Sequence, residues 1–280
     1  MRLEKWQALG NDYLIVERDR LPVPLTADRV RLLCDRHTGL GADGVLQLEP
    51  ADAPGFVARL RIFNADGSEA ELSGNGAREA VLYLRRRGWT GQKTFSVQTL
   101  AGELRATILC ERAARVDMGR ARVRSDDFPE GSPDGKGTLR DGTVFQHVSI
   151  GNPQCAIHVA DSAALDALDL SAIGPPIESD PAFPNRTNVS WWTAVDTSAI
   201  RARIFERGVG ETRSSGTGAT GAAVAHVLRG GDSPVVVHLD GGELEVDVGE
   251  DFHVDLTGWA LPVYVAQLSR ELKRDLHIGS

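Results

Sequence analysis

Apolar and polar residues alternate along several short segments of the chain, and glycine-rich turns separate these segments. In LRIF, FSVQTL and LRATIL the alternation has a period of two, which is typical of strands with one buried face. Two longer segments, AREAVLYLRRRG and ATGAAVAHVLRG, have helical spacing and end at a glycine, a common helix stop. The pattern predicts a sheet-rich α/β (α+β) fold in which one main helix occurs twice.

The chain repeats itself once. Placing RLRIFNADGSEAELSGNGA (59–77) over RARIFERGVGETRSSGTGA (201–219) aligns nine identical residues among nineteen at a constant offset of 142. Shorter matches keep the same order: GNDYLIV lies over GNPQCAIHV, and the GEL of TLAGEL lies over the GEL of LDGGEL. Because a chance match would not keep this order, we interpret the repeat as a duplicated domain.

The duplication predicts the domain organisation. We expect one half at 1–115 and a second at 116–262, packed about a pseudo-twofold axis. The tail, 263–280, lies beyond the second repeat and is expected to return to the first half. The segment DDFPEGSPDGKG (126–137) is rich in Pro, Gly and Asp, which predicts a surface loop near the junction.

The composition is that of an ordinary globular protein, with 280 residues, 41% hydrophobic and 25% charged. The net charge of −8 argues against a surface for nucleic acid or an anionic membrane, which would need a basic patch. No apolar run approaches the ~18 residues needed to cross a bilayer, and MRLEKWQALGND shows no apolar leader segment. We therefore expect a cytoplasmic protein with a small-molecule substrate and neither nucleic acid nor membrane as partner.

Cysteine and histidine spacing indicates no metal site. Cys34, Cys110 and Cys155 are far apart and form no CxxC pair, which argues against a disulfide framework and a zinc site. We expect them to be buried, reduced thiols. The seven histidines show no HxxxH or similar ligand spacing.

The SGxG sequence that opens each predicted helix points to a ligand. Its glycines let the backbone approach a bound group closely, and the first N–H groups of a helix have no intrahelical partner. With the helix dipole they favour a carboxylate or a phosphate. One such motif could be only a tight helix start capped by serine. A matched pair, at Ser73 and Ser215, instead suits proton removal from one face of a carbon and delivery to the other.

These motifs resemble the diaminopimelate epimerase family. The resemblance is carried by GNDYLIVE, HTGLGADG, NADGSEAELSGNGAR, GNPQC, FPNRTNV and ERGVGETRSSGTGA, in the family's order and spacing from about Lys5 to Pro262. It implies two pseudo-symmetric α/β domains, each a curved, mostly antiparallel sheet around a central helix, with the site in the cleft between them. It also implies interconversion of LL- and meso-diaminopimelate, for lysine and peptidoglycan precursors, without pyridoxal phosphate or metal. A homodimer is expected.

Site residues follow from the resemblance position by position. Ser73 and Ser215 stand at the two catalytic positions, and Glu206 matches the acidic residue beside the chemistry. Arg207 is expected to grip a carboxylate with its guanidinium fork. The backbone of Gly74-Asn75 and of Gly216-Thr217 is expected to donate to the reacting carboxylate as charge develops there. The full set expected to bind substrate is Asn11, Asn64, Gly74, Asn75, Asn152, Asn188, Arg207, Gly216 and Thr217.

The sequence departs from the family at both catalytic positions, where the family carries cysteine. A thiol has a pKa of ~8.5 that a helix N-terminus lowers, whereas an alkanol hydroxyl needs a base beside it. Neighbouring positions differ as well. Gln154 replaces the family's usual histidine, Glu79 stands where a further cysteine is common, and Arg213-Ser214 replaces a more apolar pair. Such linked changes favour a natural serine variant. The alternative is a cysteine enzyme that was inactivated by exchanging sulfur for oxygen at the two catalytic positions alone.

Two other functions remain open at this point. A relative could racemise a different amino acid, or remove an α-proton and expel a β-leaving group as a dehydratase. A homologue with serine in place of cysteine could also bind the substrate and turn it over weakly or not at all. Retention of Asn64, Asn152, Asn188 and Arg207 argues for the diamino diacid as ligand.

Overall fold

The computed structural model describes residues 2–277 as eighteen strands and six α-helices. The strands are β1 (Arg2–Ala8), β2 (Asn11–Glu17), β3 (Gly44–Glu49), β4 (Phe56–Asn64), β5 (Glu69–Ala70), β6 (Thr94–Thr99), β7 (Gly102–Cys110), β8 (Ala113–Arg120), β9 (Lys136–Thr138), β10 (Val144–Ser149), β11 (Pro153–His158), β12 (Asn188–Ala194), β13 (Ala199–Glu206), β14 (Gly210–Thr212), β15 (Val235–Leu239), β16 (Gly242–Val248), β17 (His253–Trp259) and β18 (Leu261–Gln267). The helices are α1 (Ala27–Cys34), α2 (Gly74–Arg86), α3 (Ser162–Asp166), α4 (Leu170–Glu178), α5 (Gly216–Leu228) and α6 (Arg270–Asp275), with a 3₁₀ turn at Arg18–Arg20. No helix in this part of the chain is long and apolar enough to cross a membrane.

The chain forms two units. The first takes the chain up to Val116 and again from Trp259, and the second is Asp117–Gly258. In the first unit the strands pair in the order β18-β1-β2-β3-β4-β6-β7-β8, with β5 added to β4. Only β2–β3 and β4–β6 are parallel among these pairs. The sheet is therefore mostly antiparallel.

The second unit repeats this topology strand for strand. Its order is β9-β10-β11-β12-β13-β15-β16-β17, with β14 added to β13, and its parallel pairs are β11–β12 and β13–β15. The equivalent parallel pairs stand at equivalent places in the two orders. The duplication in the sequence is thus a duplication of the fold.

One helix is central to each unit. Every residue of α2 from Gly74 to Leu84 is buried, and so is every residue of α5 from Gly216 to His226. The α2 helix contacts β1, β2, β3 and β7, and α5 contacts β10, β11, β12, β13 and β16. The small residues of GTGATGAAVA let strands approach α5 closely: a Cβ at Gly218 would lie 2.8 Å from the Ile204 side chain.

The tail completes the first unit. Strand β18 pairs antiparallel with β1, and Leu268 and Leu276 join a buried cluster with Leu3, Leu14 and Leu33. The cluster also contains Val16, Leu21, Val30, Cys34, Ala42, Val45 and Phe63. Residues from the two ends of the chain therefore share one hydrophobic core.

Two expectations are corrected. Cys34 and Cys155 are buried free thiols as expected, but Cys110, at the end of β7, is exposed. The segment 126–137 is not simply a surface loop, because Lys136 and Gly137 begin β9 and Phe128 is only 9% exposed. The Phe128 ring packs against Phe145 and Phe183, with centroids 5.1 and 5.6 Å away. Pro and Gly content predicts where a chain turns, not which apolar ring the turn buries.

Candidate functional site

Ser73 caps the N-terminus of α2. Its backbone is extended, and its Oγ accepts a hydrogen bond from the Gly76 N–H at 3.1 Å. The first intrahelical bond comes from the Ala77 N–H to the Ser73 carbonyl, 2.8 Å. The N–H groups of Gly74 and Asn75 precede that bond and head the helix dipole. A Tyr13 hydroxyl 3.2 Å away also donates to the Ser73 Oγ.

Asn11 and Asn75 are joined side chain to side chain beside this cap. The Asn75 Nδ2 donates to the Asn11 Oδ1 at 3.2 Å, and the Asn11 Nδ2 donates to Asp43 at 2.9 Å. Asp43 also pairs with Arg36 at 2.7 Å. The structure thus brings two of the predicted substrate-binding asparagines together in the first unit and fixes their amide groups.

A buried pair of ionisable residues lies one turn into α2. Arg78 and Glu79 have no exposed surface. Arg78 donates to the Gly74 carbonyl at 2.9 Å and to the Asn75 Oδ1 at 2.6 Å, whereas neither Glu79 oxygen has a well-formed hydrogen bond among the described residues. Burial raises the pKa of the Glu79 carboxyl well above its ordinary value, and Arg78 only partly opposes this. Burial likewise lowers the pKa of Arg78 to about 10.

Ser215 repeats the cap at the N-terminus of α5. Its Oγ accepts from the Gly218 N–H at 3.2 Å, and the first intrahelical bond runs from the Ala219 N–H to the Ser215 carbonyl at 2.9 Å. The N–H groups of Gly216 and Thr217 hold the same place as those of Gly74 and Asn75 in α2. Ser215 is 3% exposed. The sequence therefore builds the same serine-capped helix start twice.

Asn152, Gln154 and Thr217 form a chain of side-chain hydrogen bonds beside this second cap. The Gln154 Nε2 donates to the Asn152 Oδ1 at 2.7 Å, and the Asn152 Nδ2 donates to the Thr217 hydroxyl at 3.2 Å. Gln154 is fully buried, and its Oε1 has no partner among the described residues. Gln154 packs onto α5 at Gly221. A Cβ added to Gly221 would lie 2.7 Å from the Cβ of Gln154.

Asn188, the first residue of β12, holds Arg207, which lies in the loop after β13. The Asn188 Oδ1 accepts from the Arg207 N–H at 2.9 Å, and its Nδ2 donates to the Pro153 carbonyl at 3.0 Å. Asn188 is 4% exposed, so both ends of its amide are occupied inside the protein. Arg207 is exposed, and one guanidinium nitrogen donates to the Asn185 carbonyl at 2.7 Å. Within residues 2–277 the Arg207 guanidinium makes no other hydrogen bond.

Glu206 and Asn64 make local contacts. The Glu206 carboxylate accepts from the Thr212 hydroxyl at 2.8 Å across the β13–β14 pair. The exposed Asn64 donates to the Ser68 hydroxyl at 3.0 Å across a turn. The catalytic role expected of Glu206 and the substrate contact expected of Asn64 stay predictions.

Tyr13 and Glu178 are residues that the sequence did not single out. The Glu178 carboxylate is 6% exposed, accepts from the Gly208 N–H at 2.6 Å and pairs with Arg186. It thereby joins the loop before β12 to the loop after β13, where Arg207 lies. Arg186 has a positive φ of 61°, a strained backbone for a residue with a side chain. Nothing in the sequence indicates this conformation, because arginine rarely adopts a positive φ.

One group of side chains in the described part of the chain has ligand atoms close enough together for a metal. Donor atoms of Asp117, His253 and Asp255, on β8 and β17, lie within 4.8 Å of one another. The His253 Nε2 is 3.2 Å from an Asp117 oxygen, so a direct contact between these two side chains accounts for their approach. None of the residues expected to bind substrate belongs to this group.

The Arg78–Glu79 pair predicts how stability depends on pH. In the unfolded chain Glu79 ionises near its ordinary pKa of ~4.3. The folded state holds the proton to higher pH, so the free energy of unfolding falls as pH rises between the two pKa values. Glu79→Gln removes this loss. Its stability advantage over the parent should be small near pH 4 and grow above it, by at most about 1.4 kcal/mol per pH unit.

Denaturant unfolding of both proteins between pH 4 and 8 measures this difference. Glu71→Gln, an exposed glutamate of the same segment, is the matched control and should show no such trend. A Glu79→Gln protein that is less stable than the parent at pH 7, and regains stability toward pH 4, would show that the buried pair is ionised.

Comparison with known proteins agrees with this architecture. The diaminopimelate epimerase family profile matches residues 4–124 and 146–260. Proteins named diaminopimelate epimerase from Pelotomaculum thermopropionicum and Chromobacterium violaceum are 41% and 38% identical to this chain, covering 94% and 96% of it and 97% and 99% of their own lengths. Among solved structures, a probable proline racemase from Agrobacterium radiobacter and a phenazine biosynthesis protein from Bacillus anthracis each share the fold with a TM-score of 0.70 at 18% identity. They cover 96% of this chain, and the match spans 93% and 99% of the respective structures. The chain belongs to the diaminopimelate epimerase family.

Proposed function

We propose that the protein interconverts LL- and meso-diaminopimelate without a cofactor, by removing the α-proton on one face of the carbon and returning a proton on the other. Family membership at 36–41% identity over nearly the whole chain supports this function. The observation that carries it is the pair of serine-capped helix starts at the half-buried Ser73 and the buried Ser215. Each puts a hydroxyl beside the first N–H groups of a helix.

The two helix starts supply what the reaction needs most. When the α-carbon loses its proton, negative charge moves into the adjoining carboxylate, and donors already aimed at that carboxylate lower the barrier. The N–H groups of Gly74-Asn75 and of Gly216-Thr217 are proposed as these donors. The helix dipoles behind them act in the same direction.

The remaining polar residues are proposed to hold the rest of the substrate. Arg207 would bind the distal carboxylate, since it is exposed and has donors to spare. Asn11, Asn64, Asn152 and Asn188 would bind or shape the site, with Asn188 acting through the Arg207 backbone that it holds. Glu206 would accept or position a proton at the reacting carbon.

The serines make a slow enzyme the expected outcome. A hydroxyl at a helix N-terminus remains a much weaker acid than a thiol there. The remaining thiols are poor replacements, because burial raises the pKa of Cys34 to about 12 and that of Cys155 well above its ordinary value. Racemisation of another amino acid, or elimination from one, would use the same α-proton removal.

Exchange of the α-proton in deuterated water tests the proposal. With LL-diaminopimelate, NMR should show deuterium at the α-carbon together with formation of the meso isomer. Ser73→Gly and Ser215→Gly should each lower this rate about 100-fold or more, the usual share of a general acid or base. Glycine is preferred to alanine because it costs only a few tenths of a kcal/mol at an N-cap.

Controls separate chemistry from folding. Ser198→Ala changes an exposed turn serine and should leave the exchange rate unchanged. Changing both Ser73 and Ser215 to cysteine should raise the rate, because a thiol ionises more readily. Exchange with elimination would assign a dehydratase, binding without exchange would assign a binding protein, and glycine variants that keep the full rate would refute the role of the serines.

Arg207 yields a separate prediction about binding. Arg207→Ala should weaken substrate binding by about 1.5–3 kcal/mol, the range for a charged hydrogen bond, with little change in melting temperature. Titration calorimetry with meso-diaminopimelate measures the affinity. Arg229→Ala, which removes an exposed arginine just after α5, is the matched control for net charge. Unchanged affinity together with a large loss of stability would make Arg207 a structural residue instead.

We also propose that the protein is a homodimer and that it is cytoplasmic. Its support is the apolar surface of β18, where Val263 and Val265 are 53% and 56% exposed. Light scattering should give twice the chain mass for the parent, and Val263→Lys with Val265→Lys should give the single mass. Val195→Lys, at a valine that is also 56% exposed, should stay dimeric. A monomeric parent would contradict the homodimer.

A further inference from the structure

Tyr13 is the side chain that distinguishes the Ser73 hydroxyl from its counterpart. Its phenol hydroxyl lies 3.2 Å from the Ser73 Oγ and donates to it, while the Gly76 N–H donates to the same oxygen at 3.1 Å. A phenol is a far stronger acid than an alkanol, with a pKa of ~10, and is therefore the donor of the two hydroxyls. Ser215, in the described structure, accepts from the Gly218 N–H at 3.2 Å and from no tyrosine.

The place of the Tyr13 ring is built into the first unit. Tyr13 lies on β2, is 5% exposed, and stands opposite Gly44 in the parallel β2–β3 pair. A Cβ at Gly44 would come within 2.6 Å of the Tyr13 Cε1 atom. The ring therefore occupies the space that the missing side chain leaves, and this close packing directs the hydroxyl to the N-terminus of α2.

Two donors to one hydroxyl oxygen fix the direction of its own proton. A serine hydroxyl has two acceptor positions and one O–H. With Tyr13 and Gly76 at the acceptor positions, the Ser73 O–H points away from both of them. If Ser73 gives up that proton, both donors stabilise the negative charge that develops on the Oγ and so lower its pKa. Because the phenol is the stronger acid, its proton moves onto the Oγ and the charge comes to rest on the Tyr13 oxygen.

We infer that Tyr13 is a positioning residue for Ser73: its hydroxyl turns Ser73 into a proton donor with a stabilised oxyanion. It stabilises the Ser73 oxygen by donating to it and supplies no base. The inference rests on the proposed function for its kinetic consequence, but its geometric part does not. Gln154, which occupies the corresponding place on β11, donates to Asn152 instead of to Ser215. The two hydroxyls are therefore not equivalent.

A double-mutant cycle on α-proton exchange tests the kinetic consequence. Tyr13→Phe should lower the exchange rate about tenfold or more in the parent and have no further effect in the Ser73→Gly protein, because Tyr13 acts through Ser73. The affinity for substrate should stay unchanged. Tyr83→Phe is the matched control: it removes another buried tyrosine hydroxyl of the same unit, one that donates to Glu17 at 2.6 Å. It should leave the exchange rate unchanged.

A thiol at position 73 tests the geometry without any turnover. In Ser73→Cys, the pH dependence of iodoacetamide alkylation, followed by peptide mass mapping, reports the pKa of the new thiol. Adding Tyr13→Phe should raise the midpoint by about half a unit to one unit, the equivalent of one lost hydrogen bond. Adding Tyr83→Phe should not move it. Peptide mapping distinguishes the new thiol from Cys34, Cys110 and Cys155.

The two measurements test the proposed function and the Tyr13 contact separately. A parent with no exchange would refute the proposed function, and the alkylation midpoint would still decide the contact between Tyr13 and residue 73. An unchanged midpoint in Ser73→Cys with Tyr13→Phe would overturn the inference. So would equal rate losses from Tyr13→Phe in the parent and in Ser73→Gly, since that result would mean that Tyr13 acts without Ser73.

Discussion

The hydrogen bond from a helix N–H to a serine Oγ is the contact on which the rest of the site depends. It occurs at Gly76 to Ser73 and at Gly218 to Ser215, and in both places it ends a strand-and-turn segment and starts a buried helix. A serine that caps a helix has an extended backbone, so its side chain lies beside the first N–H groups instead of along the helix. The position that stabilises the fold is thus also the position next to the N–H groups that are proposed to bind the substrate carboxylate.

The duplicated units differ just where the chemistry is proposed. At the position of Glu79 in the first repeat, the second repeat has Gly221, and this glycine gives room to Gln154. In the first unit Tyr13 takes the place of Gln154, and Glu79 fills the helix beneath it with a buried carboxyl of raised pKa. The two units make room in different ways: Gln154 uses the space that Gly221 leaves on α5, whereas the Tyr13 ring uses the space that Gly44 leaves on β3.

Many of the polar residues proposed to bind substrate are held in place by hydrogen bonds to other residues of the protein. Asn11 bonds to Asn75, Asn152 bonds to Thr217, and Asn188 holds the Arg207 backbone. Such bonds fix the orientation of an amide before a ligand arrives, which reduces the entropy lost on binding. They also mean that a variant at one of these positions disturbs its neighbour, so binding data for single asparagine variants include that second effect.

The sequence by itself determined the two helix starts, the duplication and the strands that flank them. These features are local: capping serine, glycine, and alternation of apolar residues act within a few positions, and the repeat shows in a direct comparison of the two halves. The tertiary structure alone decided that the Tyr13 hydroxyl reaches Ser73, sixty positions away along the chain. It also decided that Glu178 joins two loops and that Phe128 packs into a core. Such contacts depend on strand register and on the space left by Gly44 and Gly221, which a periodic pattern does not encode because it describes each segment separately from its neighbours in space.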